Sequence, residues 1–165
     1  MNENSQSVRR SAARLGAVQA LYQIETADAA PDTVIREFID IRLGSEIEGV
    51  EYADADPEFF TDIVRGVHGQ LEGIDDKING ALSGSWVTAR LDRTVRQILR
   101  AGAYELTARI DVPSAVIINE YVDVTHSFYE NQEPGFVNGV LDRLSRELRP
   151  GELKDGTSKG KGKGK

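Results

Sequence analysis

Apolar residues recur at intervals of three and four along most of this sequence, and this periodicity constrains the fold more than any other feature. Leu15, Val18 and Tyr22 follow it near the N-terminus, and Val140 and Leu144 follow it near the C-terminus. Such spacing places the apolar side chains on one face of an α-helix, and no pair of alternating segments flanks a hairpin turn. The sequence therefore predicts an all-α fold.

Start and stop signals divide the periodic segments into helices. Asp56 followed by Pro57 is typical of a helix N-cap and first position, Gly73 is expected to interrupt the helix that follows, and Pro113 is expected to end another. Ile41 is expected in the core, and Arg100 on a polar face. The predicted helices cover about residues 7–25, 31–43, 57–72, 74–82, 92–109, 114–128 and 133–150.

Length and charge narrow the possibilities further. A chain of 165 residues suits one domain, or two small bundles that share a core. The absence of cysteine excludes disulfides, thiolate metal sites and cysteine nucleophiles. The net charge is −7, but residues 25–83 carry four basic and fifteen acidic side chains, whereas residues 4–24 contain three arginines and no acid. A polyanion would therefore have to bind on one face, and the first helix offers the most positive field.

The two ends of the chain carry no membrane signal. The N-terminal segment lacks the apolar core of a signal peptide, and no apolar run reaches the roughly 18 residues of a membrane span. We therefore expect a soluble, cytoplasmic protein. The Lys- and Gly-rich C-terminal end has nothing to bury, so we expect a helical domain over residues 1–150 and a disordered tail over residues 151–165.

The sequence contains none of the common catalytic motifs that we considered. His68 and His126 are the only histidines, and the sequence contains neither a Gly-rich phosphate loop nor a nucleophile elbow. The acidic run from Glu46 to Glu58 is loop-like, and a solvated surface explains it most simply. We expect no catalytic residue, no bound metal and no cofactor.

Three segments resemble the NusB family of bacterial transcription antitermination factors. They are RRSAARLGAVQALYQ (residues 9–23), LDRTVRQILRAGAYEL (91–106), and VPSAVIINEYVDVTHSF (112–128) leading into GFVNGVLDRL (135–144). The resemblance implies a compact protein of about seven helices in two packed bundles. It also implies an adaptor without catalysis, which binds the single-stranded boxA element of nascent RNA together with NusE, a small ribosomal protein. That complex joins the elongating RNA polymerase through other Nus factors, chiefly on ribosomal RNA operons.

Arg9, Arg10 and Arg14 lie in the predicted first helix, within the segment 4–24 that contains no acidic residue. Guanidinium groups match phosphate oxygens and stay charged when partly desolvated, so all three are candidates for RNA binding. Basic helix faces are also commonly just solvated. The resemblance favours the RNA-binding interpretation, because Arg10 and Arg14 fall on matching positions of an arginine-rich first helix that meets RNA in the family.

Phe136 and the loop before it form the second candidate. Pro134 and Gly135 suit a helix start whose free amides attract an anion. Phe136 either packs in the core or stacks on an unpaired base. NusB-like proteins carry this loop and its aromatic residue near RNA, so the resemblance implies RNA contacts by Phe136, Asn131 and Gln132.

A protein-binding face is the third candidate. Tyr22, Val95, Arg96 and Tyr104 are the residues expected to contact NusE, and Tyr22 has the amphipathic ring that is enriched at interfaces. A different class of function stays open at this point: a helical protein–protein adaptor that binds no RNA. In that alternative the arginines serve solubility, and the acidic segment recognises the partner.

Two polar pairs have structural interpretations. Gly139 is expected to permit a close helix approach, and Asn138 to satisfy a backbone group. Asn119 and Glu120 are expected in a half-buried polar network with an arginine of the fifth helix.

Overall fold

The computed structural model describes residues 3–42, 46–47, 50–51, 55–84 and 86–153, and helices dominate this part of the chain. A π-helical turn, Phe38–Arg42, continues the second helix, and a 3-10 turn, Thr88–Arg90, precedes the fifth. The predicted all-α class is confirmed. The elements are α1 (Glu3–Ala27), α2 (Pro31–Glu37), β1 (Glu46–Ile47), β2 (Val50–Glu51), α3 (Pro57–Gly69), α4 (Leu71–Ala81), α5 (Arg93–Ala108), α6 (Ser114–His126) and α7 (Glu133–Leu148), with β1 and β2 paired antiparallel.

Aspartate caps fix the start of two helices that position the site. The carboxylate of Asp56 accepts hydrogen bonds from the amides of Glu58 (3.0 Å) and Phe59 (3.1 Å) at the start of α3. Asp92 accepts one from the amide of Thr94 (3.0 Å) at the start of α5. These carboxylates satisfy amides that have no partner within the helix, so the predicted N-cap at Asp56 is confirmed.

Three local predictions were wrong. Gly73 lies inside α4, and the break falls at Gln70, whose φ of −124° and ψ of 27° are not helical. Ile41 is 64% exposed because the π-helical turn rotates it away from the core. Arg100 is 9% exposed, because its guanidinium forms ion pairs with Asp75 and Glu25.

The helices pack in two groups that share α5. Helices α1, α2 and α3 contact one another, α7 packs on α4 and α6, and α5 contacts helices of both groups. Ile98, Leu99 and Leu106 on α5 are at most 1% exposed and belong to one continuous core. This arrangement confirms the predicted pair of packed bundles. Helix α5 contributes to the core of both bundles.

Close helix contacts depend on glycines other than the predicted one. A Cβ at Gly66 of α3 would lie 2.1 Å from the ring of Tyr104, and a Cβ at Gly102 of α5 would lie 2.9 Å from Leu141. A Cβ at Gly139 would meet nothing within 4 Å. The prediction that Gly139 permits a close approach was therefore wrong, and the close approaches occur at Gly66 and Gly102.

The described chain continues past the predicted domain boundary at residue 150. Glu152 accepts a hydrogen bond from the amide of Ser114 (2.6 Å), and Arg149 donates to the carbonyls of Val112 (2.7 Å) and Leu106 (2.9 Å). Residues 151–153 thus pack on the domain, and the rest of the predicted tail, residues 154–165, lies outside the described residues. Within the described part of the chain, no helix is long and apolar enough to cross a membrane.

Candidate nucleic-acid interface

Three guanidinium groups surround the ring of Phe59 on α3. The Cζ atoms of Arg10, Arg109 and Arg14 lie 4.5, 4.8 and 4.9 Å from the ring centroid. Cations within about 6 Å of an aromatic centroid are attracted to its negative face. Helix α1 supplies Arg10 and Arg14, and the end of α5 supplies Arg109. We refer to these four residues as the Phe59 arginine cluster.

Arg14 forms the buried side of this cluster. Its side chain is 3% exposed; its Nε and Nη2 donate to Glu105 (2.7 and 3.1 Å), and its Nη1 donates to Glu120 (3.1 Å). Tyr121 also donates to Glu105 (2.6 Å). The predicted RNA contact of Arg14 stays a prediction, and its donors are held by the buried Glu105 and the half-buried Glu120. Glu120 does join a polar network, but with an arginine of α1 rather than of α5, and Asn119 is exposed.

Charge balance explains how Arg14 is tolerated inside the protein. Burial alone would lower the pKa of Arg14, but the hydrogen bond and the charge of Glu105 outweigh it, so that the pKa is raised. A buried charge is stable only when it is paired and hydrogen-bonded. The network of Arg14, Glu105, Glu120 and Tyr121 therefore joins α1, α5 and α6.

Arg10 and Arg109 form the outer side of the cluster. Their side chains are 23% and 24% exposed, and both contact Asp111, Arg10 at 3.8 Å and Arg109 at 3.1 Å. Arg109 also pairs with Asp62 at 3.1 Å. Hydrogen bonds from Arg109 lower the pKa of Asp111. Nε of Arg10 is buried and has no hydrogen-bond partner among the described residues.

Sequence reasoning found Arg10 but missed Arg109. No spacing in the sequence links residue 109 to residue 10, because they meet only through the packing of α1, α3 and α5. Arg9 is half-buried, and its carbonyl accepts a hydrogen bond from the amide of Asp56 (3.1 Å). Arg9 thus lies where α1 meets the start of α3.

Phe136 borders a groove of about 330 Å³ beside the start of α7. It is half-buried and packs against the core, so its ring has both an internal and an external contact surface. A second aromatic side chain, Trp86, lines the groove and is 53% exposed. We call this site the Trp86–Phe136 groove; its remaining lining residues are Arg90, Leu91, Asp92, Val95, Gln132 and Glu133.

Carboxylates dominate the polar side of the Trp86–Phe136 groove. Burial alone would raise the pKa of Asp92, but hydrogen bonds from Tyr129 and from the amides of Val95 and Thr94 outweigh it, so that the pKa is lowered. Oε1 of Glu133 is buried and accepts no hydrogen bond from the described residues. The groove therefore places two carboxylates beside one exposed arginine, Arg90.

The start of α7 is less suited to an anion than the sequence suggested. Gly135 leaves open space, since an added Cβ would meet nothing within 4 Å. Glu133, however, places a negative charge in the first turn, and the side chain of Gln132 makes no capping bond. Asn131 and Gln132 are both exposed, so their predicted RNA contacts stay predictions.

Tyr22 lies at a different groove, of about 450 Å³, between α1 and α5. Tyr22 and Phe128 are each 40% exposed, and Val18 and Thr94 line the space beside them. We call this site the Tyr22 groove. An exposed aromatic pair around a concavity is typical of a protein interface. The predicted partner contact of Tyr22 stays a prediction, and the Tyr22 groove is a surface that suits it.

The other three predicted partner residues are mostly covered by packing, so their partner contacts stay predictions. Tyr104 is 6% exposed and donates to Asp62 (2.7 Å), and burial, followed by that bond, raises the pKa of Tyr104 to about 12. Arg96 is 12% exposed and donates to the carbonyl of Thr88 (3.1 Å). Val95 is 4% exposed and borders the Trp86–Phe136 groove.

Comparison of the sequence with known protein families identifies one match. The model of the NusB family matches residues 11–146. The chain belongs to the NusB family. The described residues contain no group of three or more histidines and carboxylates able to hold a metal ion. NusB is a family of non-enzymatic transcription antitermination factors, and the expected absence of catalysis is consistent with this membership.

Close relatives in sequence carry the same family name. A transcription antitermination protein NusB of Sphingopyxis alaskensis is 50% identical over 149 residues, which cover 90% of this chain and 99% of that protein. The NusB protein of Caulobacter vibrioides is 51% identical over 140 residues, which cover 85% and 94%. The similarity thus extends over nearly the whole length of both relatives.

Solved structures share the fold. T. maritima NusB superposes with a TM-score of 0.69 at 29% identity, covering 86% of this chain and 93% of that one. One chain of a solved structure of antitermination factors NusB and NusE in complex with double-stranded RNA gives a TM-score of 0.69 at 23% identity, covering 84% of this chain and 97% of that one. The second likeness supports the fold alone.

Proposed function

We propose that this protein is a transcription antitermination factor that binds single-stranded RNA of the boxA type together with a partner similar to NusE. In this proposal the complex joins the elongating RNA polymerase through other Nus factors and acts mainly on ribosomal RNA operons. The observation that carries it is the match to the NusB family over residues 11–146, combined with about 50% identity to antitermination proteins.

The Phe59 arginine cluster supports an ionic contact with the RNA backbone. Arg10 is only partly neutralised, since its distance to Asp111 is 3.8 Å and its Nε has no partner among the described residues. Arg9, one residue earlier, lies on the same turn of α1. We assign phosphate binding to Arg9 and Arg10 and a structural role to Arg14.

The two grooves support separate contacts with RNA bases and with protein. Phe136 is half-buried, so part of its ring is accessible, and a base stacked on an aromatic side chain contributes about 1–3 kcal/mol. The Tyr22 groove lies elsewhere on α1 and α5 and suits an apolar protein contact. A bipartite surface of this kind fits an adaptor that holds RNA and protein at once.

Titration of a labelled boxA RNA, with and without the NusE homologue of the same organism, tests the proposal. We expect the protein to bind boxA RNA, to bind it more tightly with the partner present, and to prefer it over a scrambled RNA of equal composition. Tyr22→Ala should weaken the partner's contribution and leave binding of RNA alone unchanged. Partner binding without any RNA binding would instead support the protein–protein adaptor, which the Tyr22 groove also suits.

A further inference from the structure

The outer side of the Phe59 arginine cluster holds two guanidinium groups beside one carboxylate. The groups of Arg10 and Arg109 both lie over the ring of Phe59. Asp111 accepts hydrogen bonds from Nε and Nη2 of Arg109 at 3.1 and 3.2 Å, but its distance to Nη1 of Arg10 is 3.8 Å. That distance is too long for a hydrogen bond. Asp111 therefore serves Arg109 and leaves Arg10 only partly neutralised.

Asp62 holds Arg109 in place from the other side. Nη1 of Arg109 donates to one oxygen of Asp62 at 3.1 Å, and the hydroxyl group of Tyr104 donates to the other oxygen at 2.7 Å. This contact uses a different nitrogen of Arg109 from the two that face Asp111. The edge of Arg109 formed by Nε and Nη2 can therefore exchange one anion for another while the guanidinium group keeps its position.

The ion pair of Asp111 with Arg109 is suited to such an exchange. The side chain of Asp111 is 54% exposed, and exposed ion pairs contribute little to stability. The pair of Arg14 with Glu105 differs, because both of those side chains are buried. Hydrogen bonds from Arg109 lower the pKa of Asp111, so Asp111 is an anion at neutral pH. Asp111 thus occupies an anion site that is open to solvent.

We propose that one phosphate group of the RNA backbone binds to Arg10 and Arg109 together and displaces Asp111, so that Asp111 is an internal competitor of RNA. A phosphate group offers several acceptor oxygens that match the guanidinium fork. It can lie between the two arginines, whereas Asp111 is tied to the chain two residues after Arg109. The inference rests on the proposed function, because it adds Arg109 to the RNA-binding face of Arg9 and Arg10.

A double variant with unchanged net charge tests the phosphate site. Arg109→Gln/Asp111→Asn removes the whole ion pair. It should weaken binding of labelled boxA RNA by about three- to fivefold near 0.15 M salt and flatten the slope of log K against log salt by about 0.7. The matched control is Asp32→Asn/Arg65→Gln, which removes a pair of the same length, 3.1 Å, between α2 and α3 and should change neither quantity.

The single variant Asp111→Asn tests the competition. It should strengthen RNA binding by about two- to fivefold, because the phosphate no longer displaces a carboxylate. Asp32→Asn removes the same charge from an ion pair outside the cluster, and screening should keep its effect within about 1.5-fold near 0.15 M salt. Equal gains for the two variants would mean that only net charge matters, and they would overturn the competitor role of Asp111.

Arg109→Lys decides the matter if melting temperatures show that the double variant is unstable. Lysine keeps the positive charge but lacks the guanidinium fork, so RNA binding should weaken while the salt slope stays nearly unchanged. Affinity equal to that of the wild type would overturn the site.

The outcomes separate this inference from the proposed function. If the wild-type protein binds no boxA RNA, the proposed function fails and the phosphate site fails with it. If it binds boxA RNA and a folded Arg109→Gln/Asp111→Asn variant binds equally well, only the phosphate site is overturned, because Arg109 then serves only to neutralise Asp111. Weaker binding of the protein partner by this variant, with binding of RNA alone intact, would make the surface a protein site and would also overturn the inference.

Discussion

At the scale of single residues, the family's arginines divide into a structural and a surface group. Arg14 has its guanidinium held by Glu105 and Glu120 at 3% exposure, whereas Arg10 remains 23% exposed above Phe59. The resemblance to the NusB family implied phosphate contacts for both, and residue type and helix face do not show which carboxylates reach each arginine from α5 and α6. The one signal in the sequence is Glu105 itself, which lies among apolar residues of the fifth helix. A buried acid needs a cation as its partner, so this position indicates that an arginine packs against it.

Arg14→Gln is expected to lower the free energy of unfolding by about 3–5 kcal/mol, because it leaves Glu105 buried without its cation. Urea denaturation followed by far-UV circular dichroism measures this loss. Arg10→Gln is the matched control on the same helix and should change stability by no more than about 1 kcal/mol. A stable Arg14→Gln variant with weakened RNA binding would contradict the structural role.

Tyr104 makes the stability depend on pH in the alkaline range. Burial and the bond to Asp62 raise its pKa to about 12, above the value near 10 that it has in the unfolded chain. A raised pKa in the folded state means that the contribution is complete below about pH 10 and is lost as the pH rises towards 12. The advantage of the wild type over Tyr104→Phe in unfolding free energy should therefore shrink above pH 10; an advantage independent of pH between 8 and 11 would contradict this assignment.

At the scale of helices, the sequence predicted a helix cap correctly, but it did not predict the contacts between helices. Asp56 and Pro57 identified the start of α3 because their chemistry is local. The predictions for Gly73 and Gly139 were wrong, because the role of a glycine in a helix depends on which residues pack against it. The ring of Tyr104 packs against Gly66 through tertiary contacts, and the sequence around Gly66 does not predict this contact.

Gly66→Ala is expected to destabilise the protein by about 1–3 kcal/mol, because its Cβ would overlap the ring of Tyr104 and separate α3 from α5. Gly139→Ala is the control inside α7: with open space around it, alanine should stabilise the helix by up to about 1 kcal/mol. Thermal unfolding compares the two. Equal effects of both substitutions would mean that the packing of α3 on α5 is not as close as described.

At the scale of the whole molecule, class and family were predictable, whereas the assembled surface was not. Periodicity indicated the all-α class, and the motif GFVNGVLDRL with its neighbours indicated the family. The Phe59 arginine cluster and the Trp86–Phe136 groove each combine residues from distant parts of the chain, such as Trp86 with Phe136, and no sequence spacing predicts that pairing. Residues beyond the predicted boundary at residue 150 also contact the domain, since Arg146 donates to the carbonyl of Leu153.

Truncation after Leu153 is expected to leave helicity and melting temperature unchanged, because the contacts of Glu152 and Arg149 remain. RNA affinity should fall only modestly at physiological salt, since the removed lysines supply screened, sequence-independent attraction. Truncation after Pro150 should in addition lower the melting temperature, because it removes the acceptor for the amide of Ser114. Identical melting temperatures for the two truncations would show that residues 151–153 do not stabilise the domain.

The salt dependence of boxA RNA binding tests most directly whether this molecule contacts RNA through the face of Arg9 and Arg10. The double variant Arg9→Gln/Arg10→Gln should bind more weakly and flatten the slope of log K against log salt by about 1.4, at about 0.7 per phosphate contact on a single strand. The double variant Arg36→Gln/Arg65→Gln removes the same charge from exposed positions on α2 and α3 and should leave the slope unchanged. Equal slopes for both variants would contradict the account, because the arginines of α1 would then act only through net charge.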